Sequence, residues 1–335
     1  MNFEFHYYIT KYLALQAGFD AEESEIIAYS SQYVDDNNQM YKIKCPDGSQ
    51  YENYISQTKD ITNPINELMR VYLFFHFIPG DPLSQKVRRK DGKMHLLMTS
   101  PGNRNAENVL YEAIKVENLY LLGIASHAYA DTFAHQNFIG IRDELNAMRN
   151  IEQNLVPFIG HADAGHKPGI PGLVWTDIRL IEPNQEVDNN QRIINAAKNL
   201  YSNFLILTSF RNKWSSTKNR VSKTINEEII NETEIERDQE IRKIRIEKYK
   251  RLIKEFDEST ETEYDKNRWL QNSINEKVDP KDEEESSLKP LDNYSFKENF
   301  EKTNWFKFQE AVKKYQQMAE KKMSTVLDQV EVAKW

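Results

Sequence analysis

The feature that most constrains this chain is "HAYADTFAH", residues 127 to 135, where three metal-capable side chains stand four apart inside an apolar run. The surrounding "VENLYLLGIASHAYADTFAHQNFIGI" is rich in Leu, Ala, Tyr and Phe and predicts a buried helix. On a helix, side chains four apart lie one turn above each other, and each step of four advances about 40° around the axis. His127, Asp131 and His135 therefore form one slightly slanted stripe. A carboxylate buried unpaired between two imidazoles would be costly. The stripe calls for a bound cation, a hydrogen-bonded polar network, or solvent.

The rest of the chain supplies candidate partners. Of its seven histidines, four are His127, His135 and the pair in "GHADAGH", His161 and His166. His6 lies in the aromatic opening "FHYY", and His76 closes the apolar run "LFFHF". Taken singly, either is an ordinary core histidine. Taken together with the carboxylates they match the imidazole and carboxylate donors that zinc favours, and a helical bundle can gather such donors into one pocket.

Periodicity predicts a mostly helical chain. "FHYYITKYLALQAGF" and "DAEESEIIAYSSQYVDD" form a helix-turn-helix over 4–34, the second with an acidic first turn. "MYKIKCPDGSQYENYI" alternates around Pro-Asp-Gly and predicts a small hairpin. Helices follow over 63–77, over one or two segments within 105–138, and over 187–211. The Gly- and Pro-rich stretch 156–175 predicts an ordered loop. From about residue 215 the composition turns strongly charged. Ile246, Tyr249, Ile253 and Phe256 have 3-4-3 spacing, enough for a narrow coiled-coil-like seam. "DPKDEEESSLKP" predicts an exposed linker. The expected organisation is a metal-binding helical domain over 1–214, a charged helical insertion over 215–298, and a C-terminal helix within 299–335 packing back on the core.

Bulk properties narrow the function. The net charge is −8, from 44 basic and 52 acidic residues, unlike a strongly basic nucleic-acid binder. Cys45 is the single cysteine, so an intrachain disulfide and a cysteine-rich zinc finger are excluded. The opening "MNFEFHYYITKYLALQAGFD" lacks the basic and apolar regions of a signal peptide, and no run of about 18 apolar residues could span a bilayer. A cytoplasmic location is expected, with delivery by a non-classical route as the alternative.

The order of an early His, an Asp near 35, a His closing a helix, His-x-x-x-Asp, a further His and a His-containing loop resembles the zinc-dependent phospholipase C and single-strand nuclease superfamily. The segments "FHYYITKYLALQAGF", "ESEIIAYSSQYVDD", "FHFIPGDP", "HAYADTFAHQNF" and "GHADAGHKP" resemble most closely a bacterial group within it. The resemblance covers roughly residues 3–210 and leaves out the charged insertion. It implies an all-α, phospholipase C-like bundle around two or three zinc ions. By position, Asp35, His76, His127 and Asp131 would hold one ion. His135 and His161 would hold a second. His6 would help hold a third, with Asp131 bridging. The superfamily's mature chains begin with a Trp whose amine and carbonyl bind metal, whereas this sequence begins Met1-Asn2-Phe3. Where a His-x-x-x-acid pair is usual, position 165 is glycine, so Asp163 or His166 would complete the second site. Asp36 competes with Asp35.

The activity this implies is hydrolysis of a phosphodiester, with a lipid head group, a nucleotide or a nucleic acid as substrate. Zinc would lower the pKa of a water and neutralise charge on the reacting phosphate, and Asp35 would orient or deprotonate that water. The alternative is a non-catalytic, metal-stabilised scaffold that works through a protein partner or self-association over 223–257. Tyr7, Tyr8, Phe77, Phe133 and Phe138, near the motifs, could wall the pocket by stacking a base or contacting acyl chains, although residues of these types are more often core.

Overall fold

The computed structural model describes residues 1–59, 66–148, 159–208, 210–211, 213–226 and 230–330. The chain is mostly helical, with two small sheets among the described residues. A π-helical segment, Glu4–Ile9, runs into α1 (Thr10–Ala17), which stops at Gly18 in the left-handed region. Asp20 and Glu23 then form a reciprocal capping box that starts α2 (Ala21–Asp36). The hairpin pairs β1 (Lys42–Lys44) with β2 (Gln50–Glu52) across the Cys45-to-Ser49 turn, with Ile43 opposite Tyr51. Helix α3 (Asn66–Val71) continues into a second π-helical segment, Tyr72–His76. The start of the helix expected over 63–77 lies outside the described residues.

The apolar stretch 105–138 forms two helices, α4 (Arg104–Val116) and α5 (Leu119–Ala134). Glu117 turns left-handed between them, and the Asn118 side chain accepts from Leu121 N to begin the second. Every residue of α5 from Tyr120 to Ala134 is buried. It is buried all round because α2, α4, α6 (Asn189–Thr208) and α10 (Asn304–Gln329) pack about it. Helix α10 buries Trp305, Phe308, Val312, Tyr315, Ala319 and Met323 along one stripe. The Tyr315 hydroxyl donates to Phe74 O at 3.0 Å, tying this helix to the segment that carries His76.

Part of the expected loop over 156–175 is a strand, β3 (Leu173–Thr176). It pairs antiparallel with β4 (Glu186–Asp188) and parallel with β5 (Ile230–Asn231). Leu173 and Trp175 are buried and alternate with the less buried Val174 and Thr176. Four residues are too few for that alternation to stand out beside the preceding Gly-Pro run.

The charged segment contributes α7 (Trp214–Ile225), α8 (Asp238–Lys254) and α9 (Arg268–Ser273). Helix α8 buries Ile241, Arg245, Tyr249 and Ile253, every fourth residue. Of the expected seam, Tyr249 and Ile253 are buried within the chain, while Phe256 is 42% exposed. Arg245 is fully buried and donates to both oxygens of Glu4 at 2.8 Å and to Asp238 at 2.9 Å. Lys11 and Arg268 both pair with Glu25, and Trp269 stacks on Tyr29 at 3.9 Å. The stretch expected as an exposed linker has its backbone pinned. Met40 N donates to Ser287 O, and Gln39 Nε2 to the carbonyls of Ser286 and Lys289. Asp279, Lys281, Glu284 and Lys289 are exposed, while its carbonyls satisfy buried polar partners.

Candidate metal centre

Two of the cluster's histidines arrive on π-helical turns. His6 sits in Glu4–Ile9, and His76 ends Tyr72–His76. Such turns widen the helix by one residue and recur at functional sites. His127 and Asp131 come from α5, His135 caps its C-terminal end, and Asp35 comes from the last turn of α2. A close approach makes the α2–α5 contact possible. Gly123 faces the Ile27 carbonyl and Ser30, where a Cβ would overlap them.

The donor atoms converge. His76 Nδ1 lies 3.1 Å from Asp131 Oδ2 and 3.2 Å from His127 Nε2. His127 Nε2 lies 3.2 Å from Asp131 Oδ2. Asp35 Oδ1 lies 3.8 Å from His76 Nδ1 and 3.7 Å from His127 Nε2. Around a tetrahedral zinc with bonds of about 2.0–2.1 Å, ligand atoms sit roughly 3.3 Å apart. His76, His127 and Asp131 fit that spacing, and Asp35, His76 and His127 form a group whose donor atoms lie within 4.8 Å of one another. A second group, His6, His127 and Asp131, also has its donor atoms within 4.8 Å of one another.

Asp131 divides its two oxygens. Oδ1 faces His6 Nε2 at 3.1 Å and the Met1 α-amine, which forms a buried ion pair with it. Oδ2 faces His76, His127 and, at 3.7 Å, His135 Nδ1. Burial alone would raise this carboxyl, but the Met1 ammonium, His135, His127 and His6 outweigh it and hold it well below its ordinary value. Burial works the other way on His6. Together with the positive charge of His127 and of the Met1 amine, it pushes His6 down to about 3. For His127, burial is outweighed by the pull of Asp131 and Asp35, and the net shift is upward.

Backbone carbonyls fix the tautomers. A carbonyl oxygen can only accept, so the ring nitrogen facing it carries the proton. His127 Nδ1 donates to Ser31 O at 2.7 Å, and His76 Nε2 donates to Ser56 O at 3.0 Å. With both rings neutral, that leaves His127 Nε2 and His76 Nδ1 as lone pairs facing each other at 3.2 Å, with Asp131 Oδ2 beside both. Two lone pairs and a carboxylate oxygen at such distances repel unless a cation, proton or metal, lies among them. Outer-shell carbonyls of this kind commonly orient metal-binding imidazoles.

His135 and His161 form the second part of the site, their rings 4.8 Å apart. His135 Nδ1 donates to His76 O at 2.7 Å, and His161 Nδ1 to Gly165 O at 2.9 Å. Phe77 stacks on His135 at 4.3 Å. Gly160, left-handed, lies over the same Phe77 ring, where a Cβ would overlap it. All of this opens onto a cavity of about 270 Å³ lined by Met1, Asp35, His76, Asp131, His135 and His161, with Gln57, Thr58, Tyr72, Phe77, Ile159 and Ala162 as the remaining walls.

A profile of the Family of unknown function (DUF6765) matches residues 1–323. The chain belongs to this family. No curated protein and no solved structure matches it. The DUF6765 match takes in every residue of the cluster, the charged segment and most of α10.

Some expected site residues of this DUF6765 chain lie elsewhere. The Asp163 carboxylate accepts from Met148 N and does not line the cavity. His166 is exposed and also lies outside the lining. Asp36 turns away from the cluster, accepting from Tyr264 OH at 2.6 Å and Gln32 Nε2 at 3.1 Å. Of the two adjacent carboxylates, Asp35 faces the histidines. Tyr7, Tyr8, Phe133 and Phe138 are buried core residues, and Phe77 is the aromatic among those five that lines the cavity. Sequence reasoning missed the carbonyls of Ser31, Ser56 and His76 as orienting groups. Only Ser31, four residues before Asp35 on α2, had a spacing that could have flagged it.

Proposed function

We propose that the chain is a zinc-dependent phosphoric-ester hydrolase with a phospholipase C-like or nuclease-like helical core. The observation that carries this reading is the pair of lone pairs on His76 and His127, facing each other beside Asp131 and next to a cavity. Asp35, His76, His127 and Asp131 would hold one ion. Asp131 Oδ1, His6 and, in a chain that starts at Met1, its α-amine would hold another. His135 and His161, with Asp131 Oδ2 nearby, would contribute to a further position. Bound there, divalent ions supply charge neutralisation and acidify a water.

The protein side chains divide the remaining work. Asp131 is almost fully buried and serves as the shared wall of the cluster. Asp35 is 32% exposed and lines the cavity, so its carboxylate can orient an incoming water and accept its proton. The cavity lining contains no Lys or Arg among the described residues. A phosphodiester entering it would therefore meet its counter-charge at the ions and, in a chain that starts at Met1, at its α-amine. Tyr72, Phe77 and Ile159 offer apolar walls for the group attached to the phosphate, and Gln57 and Thr58 offer hydrogen bonds.

Elemental analysis of the purified chain, followed by turnover of bis(p-nitrophenyl) phosphate with and without chelator, tests the reading. Bound zinc together with chelator-sensitive turnover, restored by zinc and lost in Asp35→Asn, is the expected result. Bound zinc with no turnover of any phosphodiester would reduce the site to a structural one. Absence of bound divalent metal would remove the reading altogether.

A further inference from the structure

Beyond the cluster lies a surface that the hydrolase reading does not use. After His76 the chain leaves the core as a long loop, residues 81–98, "DPLSQKVRRKDGKMHLLM". It holds five Lys and Arg against Asp81 and Asp91, a local charge of +3 in a chain whose net charge is −8. Arg89 is buried and spent on structure: it pairs with Asp91 and donates to Leu145 O at 3.0 Å. Lys86, Arg88, Lys90 and Lys93 are exposed. Among them stand three large apolar side chains, Leu83 at 71%, Met94 at 58% and Leu96 at 39% exposure. Leu83, Arg88, Lys93 and Met94 share the rim of one shallow hollow of about 320 Å³.

This loop is held in shape. Val87 is buried beneath it, Lys90 N donates to Arg179 O at 3.0 Å, and Ile181 N donates to Arg88 O at 3.1 Å. Gln136, next to His135, donates to Lys86 O. A fixed loop that keeps aliphatic side chains in water, ringed by cations, needs a partner that is apolar inside and anionic at its surface.

We propose that the 81–98 loop is a docking face for an anionic lipid surface, with Leu83 and Met94 entering the headgroup region and Lys86, Arg88, Lys90 and Lys93 meeting lipid phosphates. Clustered Lys and Arg beside apolar side chains is the pattern that anionic bilayers attract. A nucleic acid fits less well. Single-stranded binders stack bases on aromatic rings, and no Phe, Tyr or Trp occurs between residues 78 and 110. The inference stands on this surface alone and needs no metal in the cluster.

Co-sedimentation of the full chain with vesicles tests it. One arm uses phosphatidylcholine alone, and the other uses phosphatidylcholine mixed with phosphatidylglycerol. Binding is expected only with the anionic vesicles and should weaken as salt rises. Each cation at the surface contributes about fivefold in partitioning, so Arg88→Gln with Lys93→Gln should weaken it roughly 25-fold. Leu83→Ser with Met94→Ser should weaken it at unchanged charge. All four positions are exposed, and unchanged circular dichroism melts would show that the variants fold. Equal binding to both vesicle types, no binding to either, or full binding by the Arg88/Lys93 variant would overturn the proposal. So would tighter binding of an oligothymidylate than of anionic vesicles.

Discussion

Gly123 of α5 lies directly against the backbone carbonyl of Ile27 on α2, so close that a Cβ at 123 would overlap that oxygen and come within 2.5 Å of Ser30 Cβ. One turn further along each helix stand His127 and Ser31, hydrogen-bonded to each other at 2.7 Å. Gly123→Ala therefore forces apart the two helices that bring His127 and Asp35 together. Overpacking of this kind costs about 1–3 kcal/mol. The expected outcome is a lower melting temperature together with reduced metal content, although the atoms nearest a Cβ at 123 belong to Ile27, Ser30 and Ser31 and to none of the ligand side chains. An alanine variant with wild-type stability and metal content would mean that the helix spacing does not matter to the site.

The facing nitrogens of His76 and His127 predict a large effect of metal on stability. A ligand held only by the folded state, at a thousandfold its Kd, adds about 4 kcal/mol. Melting with and without excess chelator should show a clear drop on metal removal. His127→Ala and Asp131→Ala should each abolish that difference and lower the bound metal. His166→Ala should leave both unchanged, since His166 is exposed and lies outside the cavity lining. Retention of the full metal complement by both His127→Ala and Asp131→Ala would remove the cluster as the binding site.

Stability of the metal-free chain should peak near the pKa of a free histidine, about 6.5. His6 and His135 are both lowered, His6 to about 3. Below 6.5 the unfolded chain takes up protons that these two refuse, so stability falls on acidification by up to roughly 1.4 kcal/mol per pH unit for each histidine. His127 is raised, so its contribution is present below 6.5 and is lost as pH rises through its folded value. Chelated protein melted across this range should give a maximum, and His135→Gln should flatten the acid limb. A steady rise or fall in melting temperature through pH 6.5, unchanged by that substitution, would contradict these assignments.

Much of this was legible beforehand, for reasons that can be stated residue by residue. The four-residue spacing of His127, Asp131 and His135 placed them on one face, because a helix leaves no other arrangement. The hairpin followed from Pro-Asp-Gly between alternating residues. What stayed hidden depended on distant backbone. Nothing local announces that the carbonyls of Ser31 and Ser56 set the tautomers of His127 and His76, or that π-helical turns aim His6 and His76 inward. The role expected of Asp163 or His166 rested on the resemblance alone, at a point where Gly165 departs from its pattern, and a loop has no fixed period to carry the role to a neighbour. The burial of Arg245 was equally invisible, because its partner Glu4 lies 241 positions away.

That Arg245 contact gives a prediction about the charged segment. Its guanidinium is fully buried between Glu4, two residues before His6, and Asp238. Removing one partner of a buried ion pair typically costs 3–5 kcal/mol, because the other charge is left uncompensated. Arg245→Leu should therefore destabilise the chain by about that much, and Glu4→Leu with Arg245→Leu by clearly less. Chemical denaturation of the single and double variants gives the coupling. Additive losses would show that the two side chains act independently.

The last prediction concerns Met1. Its α-amine is buried and paired with Asp131 Oδ1, the oxygen that also faces His6. A short Gly-Ser extension would move the charged amine out of this contact and put an uncharged amide in its place. Asp131 would lose the strongest of the charges that hold it ionised. Its Oδ2 contacts with His76 and His127 would remain. The extended protein should thus keep the ion held by Asp35, His76, His127 and Asp131 but bind fewer equivalents in total. Metal counting on extended and unextended protein, with each N-terminus verified by mass spectrometry, checks this. Equal stoichiometry in the two forms would show that the amine is only a counter-ion to Asp131 and takes no part in holding metal.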